Sequence, residues 1–242
     1  MKMTRKLIPA FVMLIVSAIM LSTASFAWFA TRTTVSATDM TVQAKADTKY
    51  LTIANTLDGT YGSSVSAATP SATVDLVHAK IEEAGKNGVK WYLGSSSDVD
   101  NVGNTNADPE VAPDLSKYAL VNTFWFKMSD TSSAKLKQLN VSSIDVTNYT
   151  ADEQMNTALR VLVVGPDGSQ IWKFNGGNQL VKETGEKTSV GNYLIAGEIT
   201  NVKNDANQVT VYMYYDGAVA TSSMAATLNS ITVSITFTAA DV

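Results

Sequence analysis

The stretch "ALRVLVVGPDGSQIWKF", residues 158–174, decides the fold class. Ala158 to Val164 is short, rich in β-branched residues and, apart from Arg160, apolar on both faces, as a central strand covered from two sides requires. Gly165-Pro166-Asp167-Gly168 is a turn signal, and it joins this run to "SQIWKF" as a hairpin. Runs of the same kind recur outward in both directions, bounded by Gly, Asn, Asp, Ser and Thr clusters. The pattern predicts strands over 34–44, 49–54, 89–93, 118–128, 139–147, 158–164, 169–174, 193–199, 208–215 and 230–238. The last alternates: Ile231, Val233, Ile235 and Phe237 face one way, Thr232, Ser234, Thr236 and Thr238 the other, so one face is buried and one wet.

Short strands separated by turn signals predict an all-β chain, two antiparallel sheets packed as a β-sandwich or jelly roll. Two short helices are expected beside them. In "TADEQMNTA" Thr150 can cap while Glu153 reaches back. In "ATVDLVHAKIEEAGKNG", residues 72–88, Val74, Val77, His78 and Ile81 fall on one helical face, with Gly85 or Gly88 as the stop. Residues 94–114, "GSSSDVDNVGNTNADPEVAPD", read as a long polar loop. No internal repeat divides the chain, which predicts a single sandwich domain over 46–242 preceded by a strand-like segment over 28–45 that could serve as a donor strand.

The 242 residues are 45% hydrophobic and 17% charged, a balance that buries an ordinary core. There is no cysteine, which excludes disulfides, thiolate nucleophiles and thiolate metal sites. Met1 to Lys6 carry Lys2, Arg5 and Lys6, residues 7–30 are uncharged, and small residues gather at 22–27. That is the pattern of a signal peptide over 1–27, and Ser25-Phe26-Ala27 predicts cleavage between Ala27 and Trp28. Ser22-Thr23-Ala24 also satisfies the small-x-small rule, and a retained membrane helix is the alternative to cleavage. Either way the basic end stays inside and the remainder is exported, so the expected location is extracellular or at the cell surface. The membrane is then met only through the N-terminal helix before cleavage. Removing residues 1–27 leaves 15 basic against 22 acidic side chains, a net charge of -7, too acidic to bind nucleic acid through a basic field.

The stretch "ASFAWFATRTTVSATDMTVQA" resembles the N-termini of Gram-positive exported proteins cut by the SipW-type signal peptidase, the TasA/camelysin-like group of biofilm-matrix and surface fibre proteins. "QVTVYMYYDGAVATSSMAATLNSITVSITFTAADV", residues 208–242, resembles the closing strands of that group: an aromatic strand ending in Tyr-Asp-Gly, a loop, and a last alternating strand. The resemblance implies a jelly-roll fold, a signal peptidase as processing partner and self-association into fibres. Some camelysin-like proteins are described as peptidases, but this chain has no residues onto which such a site can be carried.

Nothing else in the sequence points to catalysis, and no enzyme, cofactor or metal site is expected. His78 is the only histidine, so neither a paired-histidine zinc site nor a catalytic triad with a spare imidazole can be assembled freely. "DVDNVGN" begins like a calcium loop with Asp98 and Asp100, but Val102 takes a ligand position and Pro109 stands where the bidentate glutamate belongs. An irregular site from Asp98, Asp100, Asn104 and Asp108 is the weaker reading of a solvated loop. Trp91-Tyr92, Trp125, Trp172, Tyr212, Tyr214 and Tyr215 offer a sugar-stacking platform, with Tyr212 and Tyr214 forming an exposed row.

The expected function is therefore a secreted structural protein. Cleavage frees "WFATRTTVSA", residues 28–37, whose Trp28, Phe29, Val35 and Ala37 would add to a strand edge of a neighbouring copy, with main-chain hydrogen bonds supplying affinity. Head-to-tail addition does not close and makes a homopolymer. The alternatives are a carbohydrate-binding or adhesion module, and a pilin-like subunit retaining its helix.

Overall fold

The apolar run becomes strand β8 (Leu159–Val164) and its partner β9 (Ser169–Phe174), joined through Gly165–Gly168. The computed structural model describes residues 41–44, 51–68, 79–85, 88–93, 115–129, 135–147, 157–177, 179–183, 193–217, 219 and 232–241. The other strands among these are β1 (Thr41–Ala44), β2 (Leu51–Ala54), β3 (Ser64–Ser66), β4 (Ala79–Gly85), β5 (Gly88–Leu93), β6 (Ala119–Met128), β7 (Leu136–Thr147), β10 (Leu180–Lys182), β11 (Ile195–Ile199), β12 (Gln208–Tyr215) and β13 (Thr232–Asp241). Single 3-10 turns occupy Leu115–Lys117 and Asp205–Asn207, and no α-helix occurs among the described residues. The chain is all-β.

A five-stranded sheet runs in the order β11-β7-β13-β1-β3, and a six-stranded sheet in the order β10-β9-β8-β12-β6-β2. Every ladder is antiparallel except β1 with β13, which is parallel. One core unites the two sheets. Val233, Ile235 and Phe237 of β13 and Ile144 and Val146 of β7 meet Phe124 and Phe126 of β6, Val161 and Val163 of β8, and Val209 and Val211 of β12. The Phe126 and Phe237 rings lie 4.9 Å apart, edge to face, across the middle. Each such fully buried apolar side chain contributes about 1.5–3 kcal/mol, so alternation along β13 and β6 is enough to hold the sheets together.

A second core lies on the outer face of the six-stranded sheet. Leu162 of β8, Ile171 of β9, Ala119 of β6 and Tyr214 of β12 pack under Ala79, Ile81, Ala84 and Trp91 of the β4–β5 hairpin. This is why β8 is apolar on both faces. The hairpin replaces the helix expected over 72–88: residues 79–85 are strand, and Gly85 pairs with Gly88 across the two-residue link 86–87. Pairing of Gly85 with Gly88, together with burial of Ile81 and Trp91 against the outer face of the six-stranded sheet, overrides the helical spacing. Residues 72–78 and the capping box at Thr150 and Glu153 lie outside the described residues.

Expected strands 169–174 and 208–215 coincide with β9 and β12, while the short β3 and β10 and the hairpin strand β4 were not expected. The turn at 165–168 carries a tight approach. A Cβ on Gly165 would stand 2.2 Å from the Leu194 carbonyl oxygen, and Asp167 braces the same neighbour by donating its N–H to Leu194 O and accepting from Ala196 N through Oδ2 at 2.7 Å. Gly165→Ala is therefore expected to destabilise by about 3 kcal/mol, because backbone must move to admit the methyl. Thermal unfolding should show a loss of roughly 10 °C.

Candidate strand-exchange site

The alternation of β13 sets up the slot in which β1 lies. Thr41, Val42, Gln43 and Ala44 stand in parallel register with Ser234, Ile235, Thr236 and Phe237, while Thr41, Val42 and Gln43 stand in antiparallel register with Ser66, Val65 and Ser64 of β3. Val42 and Ala44 thus occupy the register positions of the core residues Ile235 and Phe237. The slot is internal, between two strands of the same sheet, yet its occupant is four residues long and is the first described strand of the chain. Each ladder hydrogen bond contributes about 0.5–1.5 kcal/mol net, and parallel pairing is the weaker kind, so β1 is lightly held compared with β7 or β12.

Other edges of the sandwich are closed. At β2, Ile53 N donates to Gly62 O at 2.8 Å and Gly62 N returns the bond to Ile53 O at 3.0 Å, and Asn55 Nδ2 reaches Ser66 O at 3.2 Å on β3. Residues 53–66 therefore close one side between the sheets. On the opposite side β10 passes on to β7 through a bridge between Gln179 and Asp145, with Gln179 Nε2 donating to Asp145 Oδ1 at 2.7 Å. Gln170 Nε2 donates to Asn140 Oδ1 at 2.8 Å beside it. Strand β11 is bulged between Ile195 and Glu198, and the exposed Lys135–Glu198 ion pair at 2.7 Å lies along it. Charge and bulge are the usual devices that keep an edge from pairing with another chain.

A buried ion cluster fixes the outer hairpin. Arg160, 5% exposed, donates from Nη1 to Thr157 O and Leu159 O, and its Nη2 lies 3.6 Å from Asp216 Oδ2. Its Nε faces Glu183 Oε2 at 3.4 Å, an ion-pair distance without hydrogen-bond alignment. Asp216 bridges to Ala79 at the start of β4, and Gly217 N donates to Ala79 O. At the hairpin's other end Ser169 Oγ donates to Ala84 O at 2.7 Å. The Tyr-Asp-Gly step at the end of β12 is thus the joint by which the hairpin is tied to the sheet.

The expected row of exposed tyrosines is covered. Trp91 packs at a tilt against Tyr212 at 5.6 Å and edge-on against Tyr214 at 5.1 Å, and Tyr214 is 2% exposed. Trp172 lies in the main core, and Trp125 is half-buried on the outer face. Burial pushes the Tyr212 phenol up; it pushes Tyr214 well above its usual value, with the Asp216 charge adding to the effect. The folded chain holds these protons more tightly than the unfolded chain does. Stability from them is complete below about pH 10, the unfolded tyrosine value, and is lost as pH rises beyond it toward the folded values. In an alkaline titration the tyrosinate absorbance of these two residues should appear together with unfolding, and ionisation within an intact near-ultraviolet dichroism spectrum would contradict their burial.

The cleavage residues Ala27 and Trp28 and the assembly residues Phe29, Val35 and Ala37 lie outside the described residues, as do His78, Asp98, Asp100, Asn104 and Asp108. Among the described residues no group of three acidic, histidine or cysteine side chains is placed to hold a metal ion. Two features went unanticipated: the parallel seat of residues 41–44 and the polar seam of Gln170, Asn140, Asp145 and Gln179. The one available signal was Gln170, an amide next to the apolar pair Ile171 and Trp172 in the partner strand of β8. No family model, curated protein or solved structure matches the chain.

Proposed function

We propose that this is a secreted structural protein of the cell surface or biofilm matrix, without enzymatic activity, whose copies join into fibres through their N-terminal strand. The observation that carries the reading is the seat of β1, a four-residue parallel strand between β13 and β3 that precedes every other described strand. A terminal strand can leave its slot, and a neighbour's can enter it, without altering any other connection in the fold. Exchange replaces the edge addition expected from sequence, since the edges at β2, β10 and β11 are tied or guarded. Residues 28–40, freed by cleavage after Ala27, would lead the strand into the next subunit, with Trp28 and Phe29 anchoring it and Val35 and Ala37 extending the ladder. The acceptor is then the same slot on every copy, the contact is head to tail, and the polymer stays open. The sandwich is read as jelly-roll-like, which its seams at Gly62 and Gln179 support, and the N-terminal residues resemble the TasA/camelysin-like group with its SipW-type processing. The test is light scattering with electron microscopy of two purified chains. The chain beginning at Trp28 should form fibres above a threshold concentration. The chain retaining residues 1–27, held in detergent, should not; fibres from both would remove cleavage from the account.

A further inference from the structure

We propose that Asn175 is a site of spontaneous deamidation, placed where the six-stranded sheet is joined to the other one. Asn175-Gly176-Gly177 opens the connection between β9 and β10, and Asn175 and Gly176 are both exposed. Gly176 has a φ of 90°, and a Cβ built on it would meet nothing within 4 Å, so the turn projects into water. Asn175 Oδ1 accepts from the Gly177 N–H at 3.1 Å. Among the described residues nothing accepts from the Gly176 N–H.

These are the requirements of the reaction. The Gly176 nitrogen gives its proton to hydroxide and attacks Cγ of Asn175, unhindered because residue 176 has no side chain. The Gly177 N–H already points at the oxygen on which negative charge develops, in the manner of an oxyanion donor. The new Cγ–N bond closes a five-membered imide, the Cγ–Nδ2 bond breaks, and ammonia leaves with a proton from water. A second water then opens the ring at one of its two carbonyls and returns the proton to the Gly176 nitrogen. Opening at Cγ leaves aspartate; opening at the main-chain carbonyl leaves isoaspartate, with one more methylene in the backbone. Either product puts a new carboxylate in the connection that leads to Gln179, whose amide holds Asp145 across the seam. Isoaspartate also lengthens the link to β10, a three-residue edge strand. The site is therefore a slow, irreversible ageing point of the seam. A second Asn-Gly step, Asn87-Gly88, has its asparagine outside the described residues.

The experiment incubates the full folded chain from neutral to mildly alkaline pH and follows the tryptic peptide 174–182, released at Lys173 and Lys182, by mass spectrometry with fragmentation that separates Asn175 from Asn178. A synthetic peptide of the same residues runs alongside. We expect conversion at Asn175 to aspartate and isoaspartate at no less than about a third of the free-peptide rate, rising in proportion to hydroxide, since the fold holds in place the Gly177 donor that the peptide leaves free to turn away. Asn122, Asn140 and Asn207, held in or beside ladders, should keep their amides over the same period. Asn175→Gln should abolish conversion in that peptide. A rate in the folded chain below about a third of the free-peptide rate, or conversion at Asn178 or Asn122 equal to that at Asn175, overturns the proposal.

Discussion

Deleting residues 28–37 should abolish polymers and leave a folded monomer with the melting temperature of the undeleted chain. Thr41–Ala44 remain, so β1 keeps its seat against β13 and β3 and the core is untouched. What goes is the segment proposed to lead β1 into the neighbour. Two large aromatic side chains, each worth about 1.5–3 kcal/mol when buried, and a run of ladder bonds at about 1 kcal/mol each must together exceed the 4–15 kcal/mol lost in association. That balance is narrow, so the response is steep. Trp28→Ala with Phe29→Ala alone should weaken assembly by about 4 kcal/mol, roughly a thousandfold in the threshold concentration. Sedimentation velocity across a concentration series checks both variants. Polymers persisting in the deletion would remove the N-terminal segment from the assembly.

Arg160→Ala should destabilise the fold by about 3 kcal/mol, because it removes the guanidinium that faces Asp216 and the partly exposed Glu183 beneath the hairpin. Its first effect is local. Asp216 is bridged to Ala79, so the β4–β5 hairpin should loosen and Trp91 should gain exposure, shifting its fluorescence to the red before the main core melts. The charge argument makes a further demand. Arg160→Met combined with Asp216→Asn and Glu183→Gln keeps the volume and removes the charges, and should recover most of the lost stability. Chemical denaturation measures both chains. Equal losses in the single and triple variants would show that Arg160 contributes shape rather than charge.

The residues that were legible are those whose surroundings are local. β9 and β12 could be read directly, since alternation and a tight turn are written in consecutive positions, and β8 declared itself covered on both faces by being apolar on both. The cover could not be read. Tyr212 and Tyr214 look like an open row until Trp91, more than a hundred residues earlier, is placed on them, and the strand that carries Ile81 also satisfies a helical spacing. β3 and β10, at three residues each, are too short to show a period. The slot of β1 was hidden for a different reason. Parallel pairing of strands so distant in sequence leaves no turn and no local pattern, so Thr41–Ala44 could be read as part of a strand-like run without any indication of which strand they meet. The seam residues Asn140, Asp145 and Gln179 become partners only when the sheets curl together.

Because the chain contains no cysteine, introduced thiols report only on the places where they are put. The measurement closest to the central claim mixes two chains beginning at Trp28, one carrying Thr41→Cys and the other Ser234→Cys, positions that are register partners in the β1–β13 ladder. Fibres formed from the mixture and then oxidised should contain disulfide-linked pairs of the two chains, in proportion to the fraction polymerised. If the mixture forms fibres without such pairs, while a single chain carrying both substitutions closes its own disulfide and polymerises as before, β1 never leaves home and strand exchange is not how the copies join.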